Sequence, residues 1–149
     1  MSGNTVANIL IKQLLKLGFI VHRYNSKSTS SIYLKLDYGV ACGIRIADHS
    51  GKKKYRYRFN VIKDYVGDKA IYKDGLICLF FSYKELDNVI EAVINEKTNK
   101  IKKYGIDKYK FYMEQENREN ALFTRFKEIK EGEIYGGNRK IRSWSIRNE

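Results

Sequence analysis

Residues 40–63 read V-A-C-G-I-R-I-A-D-H-S-G-K-K-K-Y-R-Y-R-F-N-V-I-K. Two strand-like runs flank a short basic turn, and this pattern decides the fold. In the second run Tyr55, Tyr57, Phe59 and Val61 alternate with Arg56, Arg58 and Asn60. Side chains alternate faces along a strand, so the spacing predicts one aromatic sheet face and one basic face. The stretch from Ser50 through Lys63 contains six lysines or arginines and no acid. In the first run Cys42, Ile44 and Ile46 are expected to face the core, with Arg45 on the basic side.

Working outward, Ser31–Asp37 alternates in the same way, with Ile32, Leu34 and Leu36 on one face and Tyr33 and Lys35 on the other. Tyr38-Gly39 is expected to close a tight turn between these strands, and Asp48-His49-Ser50-Gly51 reads as another. Phe19–Tyr24 is a further short strand, followed by a polar loop at 25–31. Before it, Asn4 or Thr5 is expected to cap a helix whose stripe is Val6, Ile9, Leu10, Leu14 and Leu17, closed by Gly18.

Beyond the basic strand, residues 64–74 read as a looser excursion, and Asp74-Gly75 as a turn into L-I-C-L-F-F. That apolar run has no alternation, so a central strand covered on both faces is expected. Ser82-Tyr83-Lys84-Glu85 has the form of a capping box. It opens a helix to about Lys103, striped by Leu86, Val89, Ile90, Val93, Ile94 and Ile101 and ended by Gly105. A second helix is expected from Asp107 to about Lys130, interrupted or exposed at Glu114–Asn120. Gly136-Gly137 reads as a hinge before a basic tail. The order predicts an α+β fold: an N-terminal helix, four or five mostly antiparallel strands, two C-terminal helices and a flexible tail. Residues 1–131 are expected to form one domain and 132–149 the tail.

A chain of 149 residues with 43% hydrophobic side chains can bury a core, and its net charge of +12 points to a polyanionic partner. No apolar run is long enough to span a bilayer, and Cys42 and Cys78 sit apart in apolar runs, so reduced thiols and a cytoplasmic site are expected. Two histidines cannot build a His-rich metal site, and phosphate-loop, dinucleotide and hydrolase motifs are absent. Asp48-His49 reads as turn chemistry rather than an acid–base pair. A metal-dependent nuclease would need an acid on one strand and E-x-K or D-x-K on the next. Here Asp37 ends a strand, Asp64 and Asp68 fall in a loop, and the expected strands carry no E-x-K. No catalytic residue, metal or cofactor is therefore assigned.

The candidate binding residues are Arg45, Lys52, Lys53, Lys54, Arg56 and Arg58 on the basic face. Guanidinium groups on a rigid strand grip phosphates with little loss of freedom. Tyr33 and Tyr38 nearby are candidates for stacking on bases. The tail adds Arg139, Lys140, Arg142, Trp144 and Arg147, basic groups around one aromatic anchor.

The run I-R-I-A-D-H-S at Ile44–Ser50 follows a Ser/Thr-rich loop and a strand, S-K-S-T-S-S-I-Y-L. Further on come an amphipathic helix and Asp107-Lys108-Tyr109-Lys110-Phe111. Over roughly 44–111 this arrangement resembles phage-encoded type II anti-CRISPR proteins, which inhibit Cas9. The resemblance implies a non-enzymatic phage protein that acts in the host cytoplasm on a CRISPR effector nuclease–guide RNA complex or another defence nucleoprotein. A protein of this positive charge cannot imitate DNA, so it would meet guide RNA, displaced-strand phosphates or an acidic protein face. The alternatives are a nucleic-acid-binding phage accessory protein and, further off, a small nuclease.

Overall fold

The computed structural model describes residues 2–27, 31–47, 56–122, 125–135 and 141–143, with backbone alone for 56–63, 72–78, 134–135 and 141–143. Helix α1 spans Gly3–Lys16. Its cap is Ser2 rather than Asn4 or Thr5: the Ser2 hydroxyl accepts the Thr5 N–H at 3.2 Å. Asn4 is used elsewhere, as described below. Gly18 ends the helix at φ 86°. The N–H groups of Gly18 and Phe19 return to the carbonyls of Leu15 and Leu14, which satisfies two of the last orphan acceptors.

Strands β1 (Val21–Asn25), β2 (Ile32–Leu36), β3 (Cys42–Ala47), β4 (Arg56–Val66) and β5 (Lys69–Ser82) follow, then α2 (Leu86–Tyr104), α3 (Ile106–Asn120) and β6 (Lys127–Ile129). One sheet takes the order β5-β4-β3-β2-β1-β6, and all its pairings are antiparallel. The class is α+β as expected. Sequence periodicity missed the sixth strand, because Phe126 and Ile129 happen to fit a helical spacing as well. The polar run Glu114–Asn120 lies inside α3, where Glu116 is buried and most of the others face solvent. Within the expected tail, β7 (Glu133–Tyr135) pairs with β8 (Ile141–Ser143). The Gly136-Gly137 hinge lies outside the described residues.

The apolar run expected at the centre of the sheet lies at its edge, within the 14-residue strand β5. Asp74-Gly75 does not turn the chain. Partners run Val61↔Ile77 and then Lys63↔Tyr72, so Lys73–Leu76 of β5 oppose Ile62 alone. A short polar–glycine signal thus marks a bulge, the other place where a strand tolerates it. The reversal comes at Gly67 instead, which sits at φ 61° between β4 and β5.

One face of the sheet carries the core. Val6, Leu10 and Leu14 of α1, Leu34, Leu36, Ile44 and Ile46 of the sheet, and Val89 and Val93 of α2 are all buried. Each such aliphatic side chain contributes about 1.5–3 kcal/mol when fully buried. Tyrosines extend this core toward the β4–β5 tip. Tyr65 stacks on Tyr112 with centroids 4.1 Å apart, and Tyr104 meets Tyr112 edge-on at 5.3 Å. Their hydroxyl ends find acceptors as buried tyrosines require: Tyr65 donates to Glu116 and Tyr112 to the Gly67 carbonyl. The Ser82–Glu85 box is half realised. The Glu85 carboxylate accepts the Ser82 N–H, but the helix begins only at Leu86.

Candidate nucleic-acid interface

Register places the polar side of each strand on the second sheet face. Tyr24 pairs with Tyr33, Tyr33 with Arg45, Arg45 with Arg58, and Arg58 with Phe80. Directly paired residues share a face. These five positions therefore form one unbroken row across five strands. At a strand spacing of about 4.8 Å the row is about 19 Å long. Tyr24, Tyr33 and Arg45 are half-buried, while their strand neighbours Arg23, Leu34, Ile44 and Ile46 are buried. Tyr24, Tyr33, Arg45 and the 58% exposed Phe80 are thus open to solvent where the opposite face is packed.

Among the described residues, rings of the row meet other rings and cations. Tyr24 and Tyr33 lie near-parallel with centroids 6.0 Å apart. The Arg45 guanidinium stands 5.7 Å from the Tyr33 centroid, and its Nε donates to Ser31 Oγ at 3.1 Å. At the other end the Arg125 guanidinium lies 4.7 Å from the centre of the Tyr24 ring. Phe126 packs on Tyr24 at 5.5 Å, and Lys35 Nζ sits 4.4 Å over Phe126. Rings and cations alternate here at spacings suited to flat bases and phosphates.

The predicted site residues divide accordingly. Arg45 and Arg58 are opposed in register, and Arg56 pairs with Ala47 two residues along on the same face. Arg142 lies in β8 opposite Ile134. Lys52, Lys53, Lys54, Arg139, Lys140, Trp144 and Arg147 lie outside the described residues, as do Asp48, His49 and Tyr55. Tyr33 is in the row. Tyr38 is not: it belongs to the turn after β2, at φ 61°, with its ring 5.1 Å from His22. Sequence reading missed Tyr24, Lys35, Arg125 and Phe126. Polarity alone does not place Tyr24 on the open face, because its neighbour Arg23 is the buried one. Arg125 and Phe126 carried no strand signal.

Among the described residues, Arg23 and Lys100 are diverted inward. Arg23 is fully buried beneath α1. Its guanidinium donates to the side-chain oxygens of Asn25, Asn8 and Asn4 at 2.8, 2.8 and 2.7 Å. Lys100, buried on α2, donates to the carbonyls of Val40 and Ala41, and desolvation lowers its pKa. Such hydrogen bonds offset the cost of burying charge.

The carboxylates a nuclease would need are each engaged structurally. Asp37 Oδ2 accepts from Tyr109 Oη at 2.6 Å and pairs with Lys97 at 2.9 Å, while its Oδ1 accepts the Ile20 N–H. Asp64, expected in a loop, lies in β4 and pairs with Lys103 at 2.7 Å. Asp68, at the β4–β5 tip, pairs with Lys108 at 3.1 Å. Among the described residues no three metal-ligating side chains gather. Burial raises the Cys42 thiol far above its ordinary range, which keeps it unreactive.

His22 flanks the face where β6 joins β1. Burial lowers its pKa, against a smaller opposing pull from Glu128 at 4.0 Å, and Lys35 lowers it further. Its Nδ1 has no hydrogen-bond partner among the described residues. The unfolded chain therefore takes up the His22 proton at a higher pH than the folded one. Stability conferred by neutral His22 is present above the unfolded pKa near 6.5 and is lost as pH falls below it. Urea midpoints should drop between pH 7.5 and about 5.5, and His22→Gln should flatten that drop. An equal drop in both proteins would exclude His22 as its source.

The fold and face together define an α+β protein with an open, basic and aromatic sheet surface. The chain matches no family model, no curated protein and no solved structure. No helix among the described residues is long and apolar enough to cross a membrane.

Proposed function

We propose that this is a non-enzymatic phage anti-defence protein that inhibits a host nucleoprotein, with a guide-RNA-loaded CRISPR effector as the expected target. The supporting observation is the cross-strand row Tyr24–Tyr33–Arg45–Arg58–Phe80 on a chain of net charge +12. Rings that stack and guanidinium groups that bind phosphate serve a nucleic-acid partner. The anti-CRISPR resemblance over 44–111 supplies the effector. The basic tail, with Arg139, Lys140, Arg142, Trp144 and Arg147, adds a second arm of contact.

The alternative is a nucleic-acid-binding accessory protein without a protein target, favoured by the near-parallel Tyr24–Tyr33 pair, a platform for unpaired bases. Two binding measurements across a salt series separate the readings. The inhibitor is expected to co-elute with a guide-loaded effector and to bind naked RNA weakly. Tight binding to naked single strands, with no gain from the effector, would overturn the first reading in favour of the second. Magnesium-dependent cutting would overturn both.

A further inference from the structure

The sheet protects its two edges unequally. β6 is three residues long and exposes Lys127 and Glu128. Short length and charge are what keep an edge strand from pairing with another chain. β5 is 14 residues long, and the chain contains no proline. Its first half is guarded by Lys69, Lys73, Asp74 and the bulge at Lys73–Leu76. Its second half is not. Gly75–Ser82 contains no charged residue, and Ile77–Ser82 keep unbroken register with β4. No strand among the described residues lies outside it. Leu79 and Phe80, on opposite faces of the strand, are 41% and 58% exposed.

We propose that this half of β5 pairs antiparallel with the same segment of a second copy, giving a two-fold dimer with a continuous sheet. Charge selects that occupant. Copies bearing +12 each repel wherever lysines and arginines meet, and Gly75–Ser82 is a stretch of edge where they do not. A polyanion finds no charge on the strand itself, since the nearest arginines, Arg56 and Arg58, belong to β4. Antiparallel self-pairing matches the edge's hydrogen-bonding groups to themselves and sets apolar residues against apolar residues on both faces.

The two-fold axis relating antiparallel neighbours stands perpendicular to the sheet. Both copies therefore turn the Arg45/Arg58 face to the same side, and their rows meet at the Phe80 ends. That joined surface rests on the binding reading above; the pairing does not.

Sedimentation equilibrium over a dilution series tests the pairing. The wild-type chain should approach twice its 17.5 kDa at high concentration. Phe80→Lys should stay at one chain throughout, with an unchanged circular-dichroism spectrum. Leu122→Lys, at a site 79% exposed outside the sheet, should dimerise like wild type. Should Phe80→Lys fail to fold, amide exchange on the wild type decides: protection of Ile77–Ser82 should weaken on dilution. A single-chain mass for wild type, dimerisation of folded Phe80→Lys, or concentration-independent exchange would each overturn the proposal. A monomeric wild type that still bound the guide-loaded effector would leave the face reading intact.

Discussion

Asp37→Ala should lower the unfolding free energy by about 3–5 kcal/mol, a large fraction of the 5–15 kcal/mol typical of a domain. The side chain is fully buried and serves three donors: the Ile20 N–H, the Tyr109 hydroxyl and the Lys97 ammonium. Alanine would leave the two neutral donors buried without an acceptor and the ammonium without its anion. The backbone adds to the cost, since Asp37 sits at φ 53°, a region where Asp and Asn are tolerated far better than alanine. Asp37→Asn keeps that tolerance and one acceptor, so its loss should be smaller, about 1–3 kcal/mol. Urea denaturation of the three proteins measures the series. Equal stability of Asp37→Ala and wild type would mean that this cluster does not hold β2, α2 and α3 together.

The second large effect is on binding. Tyr24→Ala combined with Tyr33→Ala should weaken binding to the guide-loaded effector about a hundredfold, given about 1–3 kcal/mol per stacked base. The salt dependence should hardly change, because neither ring carries charge. Stability should fall little, since both rings are half-buried and outside the core. Unchanged affinity in a folded double variant would remove the aromatic half of the site.

Much of the fold was legible because period-two alternation is strong in β2 and β3, where every second side chain enters the core. Gly18 also announced its role, as few residues other than glycine readily take the positive φ that closes α1. The apolar run of β5 misled for a physical reason. Two-sided apolarity is read as burial on both faces, but β5 is an edge of the described sheet, with Leu79 and Phe80 exposed. The segment after α3 misled because three residues of strand are too few to establish a period.

The site was legible only in part. Arg45, Arg56 and Arg58 follow from alternation within single strands. That they share a row with Tyr24, Tyr33 and Phe80 depends on register between strands, which turn geometry and bulges set and no local pattern states. Arg23 shows the converse: an arginine in a strand, one of the charges behind the net +12, lies buried under α1 and donates to three asparagines.

The central claim is that the Arg45/Arg58 face meets phosphate. Its most direct test is the slope of log affinity against log salt for binding to the guide-loaded effector, compared between wild type and Arg45→Ala/Arg58→Ala. Two lost phosphate contacts on a single strand should make the slope shallower by about 1.4 and weaken binding at low salt, with folding preserved. Identical slopes and affinities in the two proteins would contradict the account.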